Sequence, residues 1–371
     1  MSEQNQNNKI EQVAQYVRYH AFLLEAGQKM PSIRLMCRVS NHSRFLITRA
    51  LTELVEAGVL ECRDRSGYYR SQSGFSSDNP GKYIDIFACA VIGYLKATSR
   101  FPQNFFSSFM YYAKQSGYDC RFHAVPVDKP VSYFEELIKE HGVRMAVLFS
   151  PNSEAICRSF ELACTRWVAA APRFSPRFGP AVLESDDSVT ALMEYLYRHG
   201  HRKIAFFDEF DYDMPSWVFI SRREKYFRFM AENGLKVHEN YYFQAASNKE
   251  KAFKLYDKMF SKNPPTAAII PGGGVLLLFY EYCKKESIKI GEEFSVISYE
   301  KRPELQLKPS LCSLNYDVKE MAKQTLELLL NTDENKKNEI CYLNTDISLG
   351  ESVAKITNKK MKKCVSFTLS L

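Results

Sequence analysis

The stretch from Pro31 to Leu51, PSIRLMCRVSNHSRFLITRAL, constrains the fold most strongly, because it is patterned as two short helices around a tight corner. Pro31 and Ser32 can open the first helix, since proline fits a first turn and serine can cap it. Ser43 follows the polar corner and is a good N-cap for the second helix. The apolar residues of that second helix recur at the spacing of one buried face, namely Leu46, Ile47, Ala50, Leu51 and Leu54.

The opposite face of the second predicted helix carries Arg44, Thr48 and Arg49. A helix with a packed back and a cationic, hydroxylated front suits the major groove of DNA. We therefore predict DNA contacts from this face, from its N-cap Ser43 and from Arg34 on the first helix. The alternative is an ordinary basic helical hairpin without a DNA partner.

The same stretch resembles the GntR-type winged helix-turn-helix, whose motif runs approximately P-S-E-R-x-L-A-x-x-L-G-V-S-R-x-T-V-R-x-A-L. The gapless match rests on Pro31, Ser32, Arg34, Ser43, Arg44, Ile47, Ala50 and Leu51. The departures are Ile33, Ser40, Asn41, His42 and Leu46. The resemblance implies a head that binds double-stranded operator DNA.

Two flanking segments complete the predicted head, a scaffold helix from Ile10 to Ala26 and a β-hairpin from Val59 to Arg70. The hairpin sequence VLECRDRSGYYR has two β-prone runs around a turn, and three arginines are expected around its tip, namely Arg63, Arg65 and Arg70. In winged heads of the GntR type the glycine-containing wing tip lies along the minor groove and the phosphates. The resemblance gives that role to Arg65 and Gly67, and a solvated hairpin is the alternative.

Residues 71–82, SQSGFSSDNPGK, read as an interdomain linker, since they offer little to bury. Beyond them, apolar strands alternate with amphipathic helices, which predicts parallel sheets covered on both faces. The predicted strands are 83–91, 119–125, 144–149, 167–171, 204–207, 267–271 and 294–299. The predicted helices are 105–117, 131–141, 155–164, 188–198, 221–233, 249–260 and 276–285.

A second resemblance covers roughly residues 83–353. The sequence GHRKIA at 200–205 matches the G-H-x-x-I-A signature of lactose-repressor-like and periplasmic-binding-protein-like sensor domains. Further motifs of that family agree, in order, with the stretches 185–187, 265–269, 291–299 and 309–317. The resemblance implies two α/β lobes that close on a small ligand. Lobe one would comprise residues 83–198 and 311–330, and lobe two residues 200–309 and 341–353.

The predicted fold class is therefore α/β, with an N-terminal winged helix-turn-helix and a two-lobed, type I periplasmic-binding-protein-like domain. This combination resembles the arabinose-repressor architecture. We expect four regions, a DNA-binding domain at residues 1–72, a linker at 73–82, a ligand-sensing domain at 83–355 and a basic tail at 356–371.

Arg222 resembles the sugar-contacting arginine of the sensor family, and a guanidinium can donate paired hydrogen bonds to two hydroxyls or a carboxylate. Arg223 is its competitor, and either could be merely solvated. Asp187 and Glu300 are the candidate acceptors for ligand hydroxyls. The remaining candidate ligand contacts are Gly272 and the aromatic residues Tyr94, Phe101, Phe105 and Trp217, although Phe105 fits a core position equally well.

Several positions depart from the sensor family. Lys225 replaces a glycine, Glu300 an aspartate and Gly350 a late arginine, and Gly272-Gly273 replaces a polar Asn-Asp pair. Two hydrogen-bonding side chains are therefore missing. Either the ligand is different or larger, or the sensor has lost small-molecule binding.

Length and composition bound the remaining possibilities. A chain of 371 residues suggests two or three domains, and a net charge of +7 permits a nucleic-acid partner. The ten cysteines include no CxxC pair, so we expect reduced thiols and no metal site. The polar N-terminus lacks the apolar core of a signal peptide and no run is long enough to span a membrane, so we expect a cytoplasmic protein.

The PGGG loop lacks the rest of a phosphate-binding motif and no nucleophile elbow is present, so neither an enzyme nor a cofactor is expected. The sequence predicts a homodimeric, ligand-responsive DNA-binding regulator that is controlled by a sugar or a similar small polar effector. We expect a repressor, because repression is usual in the families that the chain resembles. The alternative is a DNA-binding regulator whose sensor is degenerate or binds another ligand. A solute-binding protein is less consistent with the head and with the absence of a signal peptide.

Overall fold

The computed structural model describes residues 13, 16–17, 20–21, 24, 27–40, 42–56, 59–64, 66–71, 83–89, 100–126, 128–177, 179–185, 187–208, 216–246, 248–299, 305–315, 317–331, 338–343 and 346–356. The predicted linker, most of the predicted scaffold helix and the predicted tail apart from Ile356 lie outside these residues. The described residues Val13, Tyr16 and Val17 of the scaffold segment are buried, as its apolar spacing predicted.

The head contains the helices and hairpin that the sequence predicted. Helix α1 spans Ile33–Ser40 and helix α2 spans Arg44–Glu56. Strands β1 (Leu60–Arg63) and β2 (Gly67–Arg70) form an antiparallel hairpin. Both predicted caps are present, because the Ser32 and Ser43 hydroxyls accept hydrogen bonds from the Leu35 and Leu46 amides at 3.2 and 3.4 Å.

Beyond the head, the described residues form two six-stranded sheets flanked by helices. The first has the order β13-β7-β6-β5-β3-β4, and the pairings among β3 to β7 are all parallel. Its strands are β3 (Tyr83–Cys89), β4 (Asp119–Val125), β5 (Met145–Phe149), β6 (Arg166–Ala170), β7 (Ala181–Glu184) and β13 (Ile340–Leu343). The helices of this part are α3 (Arg100–Gln115), α4 (Val131–His141), α5 (Glu154–Ala163) and α10 (Val318–Leu330).

The second sheet has the order β14-β12-β11-β10-β8-β9 and is parallel except for its edge strand β14, which pairs antiparallel with β12. Its strands are β8 (Ile204–Asp208), β9 (Tyr242–Gln244), β10 (Ala267–Ile270), β11 (Ser295–Ser298), β12 (Cys312–Leu314) and β14 (Ile347–Ser348). Its helices are α6 (Ser188–Arg198), α7 (Trp217–Glu232), α8 (Lys249–Ser261) and α9 (Gly274–Lys285). The α/β fold class is confirmed.

By its internal contacts the chain divides into two compact units, Met1–Leu183 with Asp317–Cys341 and Glu184–Tyr316 with Tyr342–Leu371. This division corrects the predicted lobes, because helix α6 and strand β12 belong to the second unit rather than to lobe one. Packing explains the difference. The apolar side of α6 shares one buried cluster with β12 and the second sheet, formed by Val189, Leu192, Met193, Leu196, Cys312 and Leu314 with their neighbours.

Aromatic side chains fill much of both cores. In the second unit, Phe207 packs against Phe243 at 5.2 Å and against Tyr256 at 5.7 Å between ring centroids. The nine described cysteines are free thiols, as expected. No helix in the described part of the chain is long and apolar enough to cross a membrane.

Candidate functional site

The second helix of the head has one packed face and one exposed face. Ile47, Ala50, Leu51 and Leu54 are buried, which confirms the predicted apolar side. Arg44 and Arg49 are exposed, and Thr48 is half-buried beside them. Arg34 is exposed on α1. The predicted DNA contacts therefore lie on the accessible surfaces of the two helices, with Ser43 capping the second.

The exposed face of α2 also contains an apolar residue that sequence analysis passed over. Phe45 is 72% exposed, although it directly follows Arg44 at the start of the helix. Arg49 forms an exposed ion pair with Glu53, with 3.2 Å between Nε and Oε1. Such exposed pairs contribute about 0–1 kcal/mol, so Arg49 can exchange this partner for another anion at little cost.

The hairpin bears out part of the predicted wing. Gly67 begins β2 with φ +108°, a backbone conformation that side chains with a Cβ rarely adopt. Arg63 lies near the tip, where it pairs with Glu61 and stacks 4.1 Å over the Tyr69 ring. Arg70 is not at the tip, because it lies opposite Leu60 at the base of the hairpin. Arg65 lies outside the described residues.

Arg70 instead has a structural role. Its Nη1 donates a hydrogen bond of 3.0 Å to the Val59 carbonyl, and burial lowers the pKa of its guanidinium. The hairpin is also extended by the segment before α1, since Lys29 forms an antiparallel bridge with Tyr69. Lys29 is exposed and its Nζ lies 5.7 Å from the Tyr69 ring, which adds a cation that the sequence pattern did not single out.

In the second unit, Arg222 is held by a carboxylate. It lies in the second turn of α7, is 7% exposed, and donates to Glu184 with 2.7 Å between Nη2 and Oε2. Its guanidinium also stacks on the Tyr299 ring, with 4.3 Å between the central carbon and the ring centroid. The Tyr299 hydroxyl donates to the Phe207 carbonyl at 2.9 Å. The arginine chosen as a ligand contact is therefore already oriented by two side chains.

Two further cations of α7 have carboxylate partners. Arg223 lies 3.2 Å from Asp208, and the Tyr242 hydroxyl donates to the same carboxylate at 2.7 Å. Lys225, which stands where the sensor family has a glycine, pairs with Asp187 at 2.9 Å. Asp187, which was predicted to accept hydrogen bonds from ligand hydroxyls, is thus the ion-pair partner of Lys225. Arg223, treated in the sequence as a competitor of Arg222, reaches a different acceptor.

Two of these groups, Asp208 and Tyr299, lie at the carboxyl ends of strands in the second sheet, the edge at which open α/β sheets bind ligands. Asp208 ends β8, Ser298 ends β11, and Gly272 follows β10 in the loop before α9. Gly272 is half-buried and Ser298 is fully buried. Glu300, the predicted acceptor, lies outside the described residues.

The aromatic candidates have different positions. Trp217 is half-buried and begins helix α7, which starts four residues before its predicted start at residue 221. Phe105 is fully buried against Phe149 at 4.9 Å, which favours the core position over a ligand contact. Phe101 is half-buried at 5.8 Å from the same ring. Tyr94 lies outside the described residues.

The G-H signature residues are structural. His201 is 1% exposed, and its ring nitrogens lie 2.9 Å from the Thr266 hydroxyl and 3.1 Å from the Ala354 carbonyl. Burial lowers the pKa of His201 to about 4, so the ring is neutral at pH 7. Gly200 has φ +93°, and a Cβ there would lie 3.0 Å from the Ile356 carbonyl oxygen. The signature therefore anchors the last described residues to the second sheet.

Glu184, Asp208 and Tyr299 were not among the predicted ligand contacts. Asp208 could have been found, because it is an acidic residue directly after the predicted strand 204–207 and the carboxyl ends of strands are the functional edge. Glu184 ends β7, a strand that the sequence did not predict. Tyr299 carries no comparable signal. Among the described residues, no cluster of three or more histidine, cysteine or acidic side chains could hold a metal ion.

Comparison with known proteins identifies the fold of the sensor region. The family model of the periplasmic binding protein-like domain matches residues 193–353. A comparison with curated protein sequences gives no match.

Three solved structures illustrate the likeness. A regulatory protein of the LacI family from Chloroflexus aggregans is 20% identical, with 73% of this chain and 98% of that chain covered and a TM-score of 0.60. A LacI family transcriptional regulator from Enterococcus faecium with bound ribose is 17% identical, with coverage of 74% and 100% and a TM-score of 0.58. The regulator CCPA from Weissella paramesenteroides with bound sucrose is 16% identical, with coverage of 74% and 100% and a TM-score of 0.59.

Identities this low establish a shared fold and no more. The region that follows the head thus has the α/β fold of periplasmic-binding-protein-like domains, which the three LacI-family structures share.

Proposed function

We propose that this protein is a ligand-responsive, DNA-binding transcription regulator. One observation carries the proposal: a helix-turn-helix head that exposes Arg44 and Arg49 on its second helix is joined, in one chain, to a periplasmic-binding-protein-like domain. The helix face suits the major groove of DNA, and the second domain has the fold of regulators that carry ribose or sucrose.

The head acts as a winged helix-turn-helix of the GntR type. Ser43, Arg44, Thr48 and Arg49 contact base edges and phosphates, and the hairpin around Gly67 lies along the backbone. Arg34 and Arg65 add phosphate contacts. Two heads of a homodimer read the two half-sites of an operator, which matches the two-fold symmetry that such dimers impose.

The domain boundaries follow from the same proposal. Residues 1–72 form the DNA-binding head, residues 73–82 the linker, residues 83–355 the sensor and residues 356–371 a basic tail. The end of the hairpin at Arg70 and the start of β3 at Tyr83 support the first two boundaries.

The effector is a sugar or another small polar molecule bound at the carboxyl edge of the second sheet. Arg222, Asp187, Gly272, Trp217 and Glu300 belong to this site in our proposal. Asp208 and Tyr299 join it, because both lie at strand ends beside the cations of α7. Binding alters DNA affinity only if the effector prefers one conformation of the protein over another, and we propose that it relieves repression.

A second candidate is a regulator whose sensor is degenerate or takes a non-sugar ligand. The pairing of Arg222 with Glu184 favours this second candidate. The Glu184 carboxylate already takes the hydrogen bonds that the guanidinium would otherwise donate to an external ligand. The two glycines at positions 272 and 273 also offer no side-chain hydrogen bonds. A screen of compounds for binding separates the two candidates: binding of a sugar favours the first, and binding of no compound or only of a non-sugar favours the second.

The DNA-binding claim is tested with the full-length protein and duplexes enriched from a random pool. We expect Arg44→Ala to weaken binding of the enriched duplex by about 1–3 kcal/mol while the protein stays folded. Arg198→Ala is the matched control, since Arg198 is also an exposed helical arginine and pairs with Glu194 at 3.0 Å. Equal affinities for the wild type and Arg44→Ala would refute the assigned role of the head.

A further inference from the structure

Phe45 is the most exposed aromatic side chain among the described residues. It is the second residue of α2 and 72% of its surface is accessible. An apolar ring stabilises a fold only when it is removed from water, so this ring contributes little to folding of the head. Phe45 therefore lies at the start of α2 with its ring accessible to a partner.

The ring belongs to the outward face of α2. Thr48, Arg49 and Thr52 follow it at the three-, four- and seven-residue spacings that place side chains on one side of a helix. Thr48 is half-buried, and Arg49 and Thr52 are exposed. Phe45 thus shares its side of α2 with two residues that carry hydroxyl groups and one that carries a cation.

The helix that carries Phe45 is rigidly placed. Ile47 and Leu51, on its opposite face, are fully buried in the head. The Ser43 hydroxyl caps the first turn at 3.4 Å from the Leu46 amide. Such a support fixes the backbone position from which the Phe45 ring is presented, as a specific contact requires.

Cations on both sides of the ring select the partner. Arg44 precedes Phe45 and Arg49 lies one turn further along, where it pairs with Glu53, so these three charged residues leave a net positive charge beside the ring. A polyanion complements that face, whereas a second copy of the same face would bring like charges together. In the major groove of DNA, the apolar group that a phenylalanine can contact is the 5-methyl group of thymine.

We infer that Phe45 reads thymine, by packing its ring against 5-methyl groups in each operator half-site. The inference rests on the proposed DNA-binding function and deepens it. Phe45 sets sequence preference through apolar contact, while Arg44 supplies hydrogen bonds and charge.

The test replaces thymines by uracil, one at a time, in the duplex enriched by the wild-type protein. The replacement removes the methyl group and leaves the base-pairing edge unchanged. For wild type we expect at least one replacement per half-site to weaken binding about fourfold, the factor for burying one methyl-sized group. Phe45→Ala should weaken binding of the thymine duplex by a similar factor and bind thymine and uracil duplexes equally.

Leu162→Ala is the control, because Leu162 is 88% exposed on α5 and lies outside the head. It should keep both the affinity and the preference for thymine. Phe45→Leu should retain part of that preference, which separates loss of apolar contact from loss of folding. Thermal unfolding of each variant should match the wild type.

Three results would overturn the inference. The first is a wild-type protein indifferent to every uracil replacement, and the second is a Phe45→Ala variant that keeps the thymine preference. In both cases a loss of binding in Arg44→Ala would leave the proposed function standing. The third is a Phe45→Ala variant with a smaller assembly state than wild type in the absence of DNA, which would place the ring between copies of the chain. Failure to enrich any duplex would reject both the inference and the DNA-binding function.

Discussion

Arg222 forms a two-pronged ion pair with Glu184, with 2.7 Å between Nη2 and Oε2 and 3.3 Å between Nε and Oε1. Both side chains are buried. A ligand that uses Arg222 must therefore share the guanidinium with Glu184 or displace that carboxylate. The pair holds Arg222 in place within the candidate site.

Breaking this pair should strongly destabilise the protein. Glu184→Gln leaves the buried charge of Arg222 without its counter-ion, and we expect the free energy of unfolding to fall by about 3 kcal/mol. Asp187→Asn is the matched control, because its carboxylate is 68% exposed where it pairs with Lys225 and should contribute at most about 1 kcal/mol. Urea unfolding of both variants measures the difference. Equal decreases in the free energy of unfolding would show that the buried pair of Arg222 and Glu184 stabilises the fold no more than the exposed pair of Lys225 and Asp187.

A bound effector should raise the thermal midpoint of unfolding. A ligand at one hundred times its Kd that binds only the folded protein adds about 2.7 kcal/mol of stability. We would screen monosaccharides, sugar acids and nucleosides for a compound that raises the midpoint. The midpoint of the Arg222→Met variant would then be measured with and without that compound.

The matched control for this screen is Lys254→Met, since Lys254 is an exposed helical cation on α8 that pairs with Glu250. Loss of the thermal shift in Arg222→Met, with retention in Lys254→Met, supports the site at the second sheet. No response to any compound favours the degenerate sensor.

Ser43 should have two separable roles. Ser43→Ala removes the cap of α2 and should cost about 1 kcal/mol of stability. Ser43→Asp keeps a capping oxygen, so its stability should match the wild type, but its negative charge should weaken DNA binding. Unfolding and duplex-binding measurements on both variants separate the roles. A Ser43→Asp protein that binds DNA as tightly as wild type would remove Ser43 from the DNA interface.

His201 should make the protein less stable in acid. Its pKa is lowered from 6.5 to about 4 in the folded protein, so the unfolded chain binds the extra proton between these values. Stability is therefore lost as the pH falls from about 6.5 to 4, by up to about 3 kcal/mol. Burial lowers the pKa of His20 to about 4 as well, so both histidines contribute to the loss of stability over this pH range. The contribution of His201 is therefore measured by comparing the wild type with a variant that lacks this histidine.

The His201→Asn variant should show a shallower fall in unfolding free energy between pH 6.5 and 4 than wild type. His238→Asn is the control, because the His238 ring accepts a hydrogen bond from Asn263 at 2.7 Å and is less buried. Urea titrations at several pH values give the slopes. Identical slopes for wild type and His201→Asn would show that His201 does not contribute to the loss of stability in acid.

Long periodic segments of the fold were predictable from sequence. The strand Asp119–Val125 and the helix Val131–His141 were predicted at their observed bounds, because apolar spacing over many residues reports the buried face directly. The short strands β7, β9, β12, β13 and β14 were missed, since two to four residues carry no usable period. Helix α10 was not predicted either. Helix α3 starts five residues before its predicted start, because Pro102 is tolerated in a first turn.

The candidate site was less predictable. Motif spacing pointed to Arg222, but its partner Glu184 lies 38 residues earlier and only the folded chain brings them together. Arg70 was assigned to the wing tip because the sequence shows charge and cannot show hairpin register, which places it opposite Leu60. Phe45 was overlooked because it belongs neither to the apolar spacing that predicted the buried face of α2 nor to the cationic and hydroxylated residues that predicted DNA contacts.

The most direct test of the central claim compares the affinity of the full-length protein for its enriched duplex with that for a shuffled duplex of equal length and composition. At the same near-physiological salt concentration, a specific regulator should bind the enriched duplex at least about a thousand times more tightly. That ratio would establish sequence-specific recognition by this chain. A ratio close to one would contradict its assignment as a DNA-binding regulator.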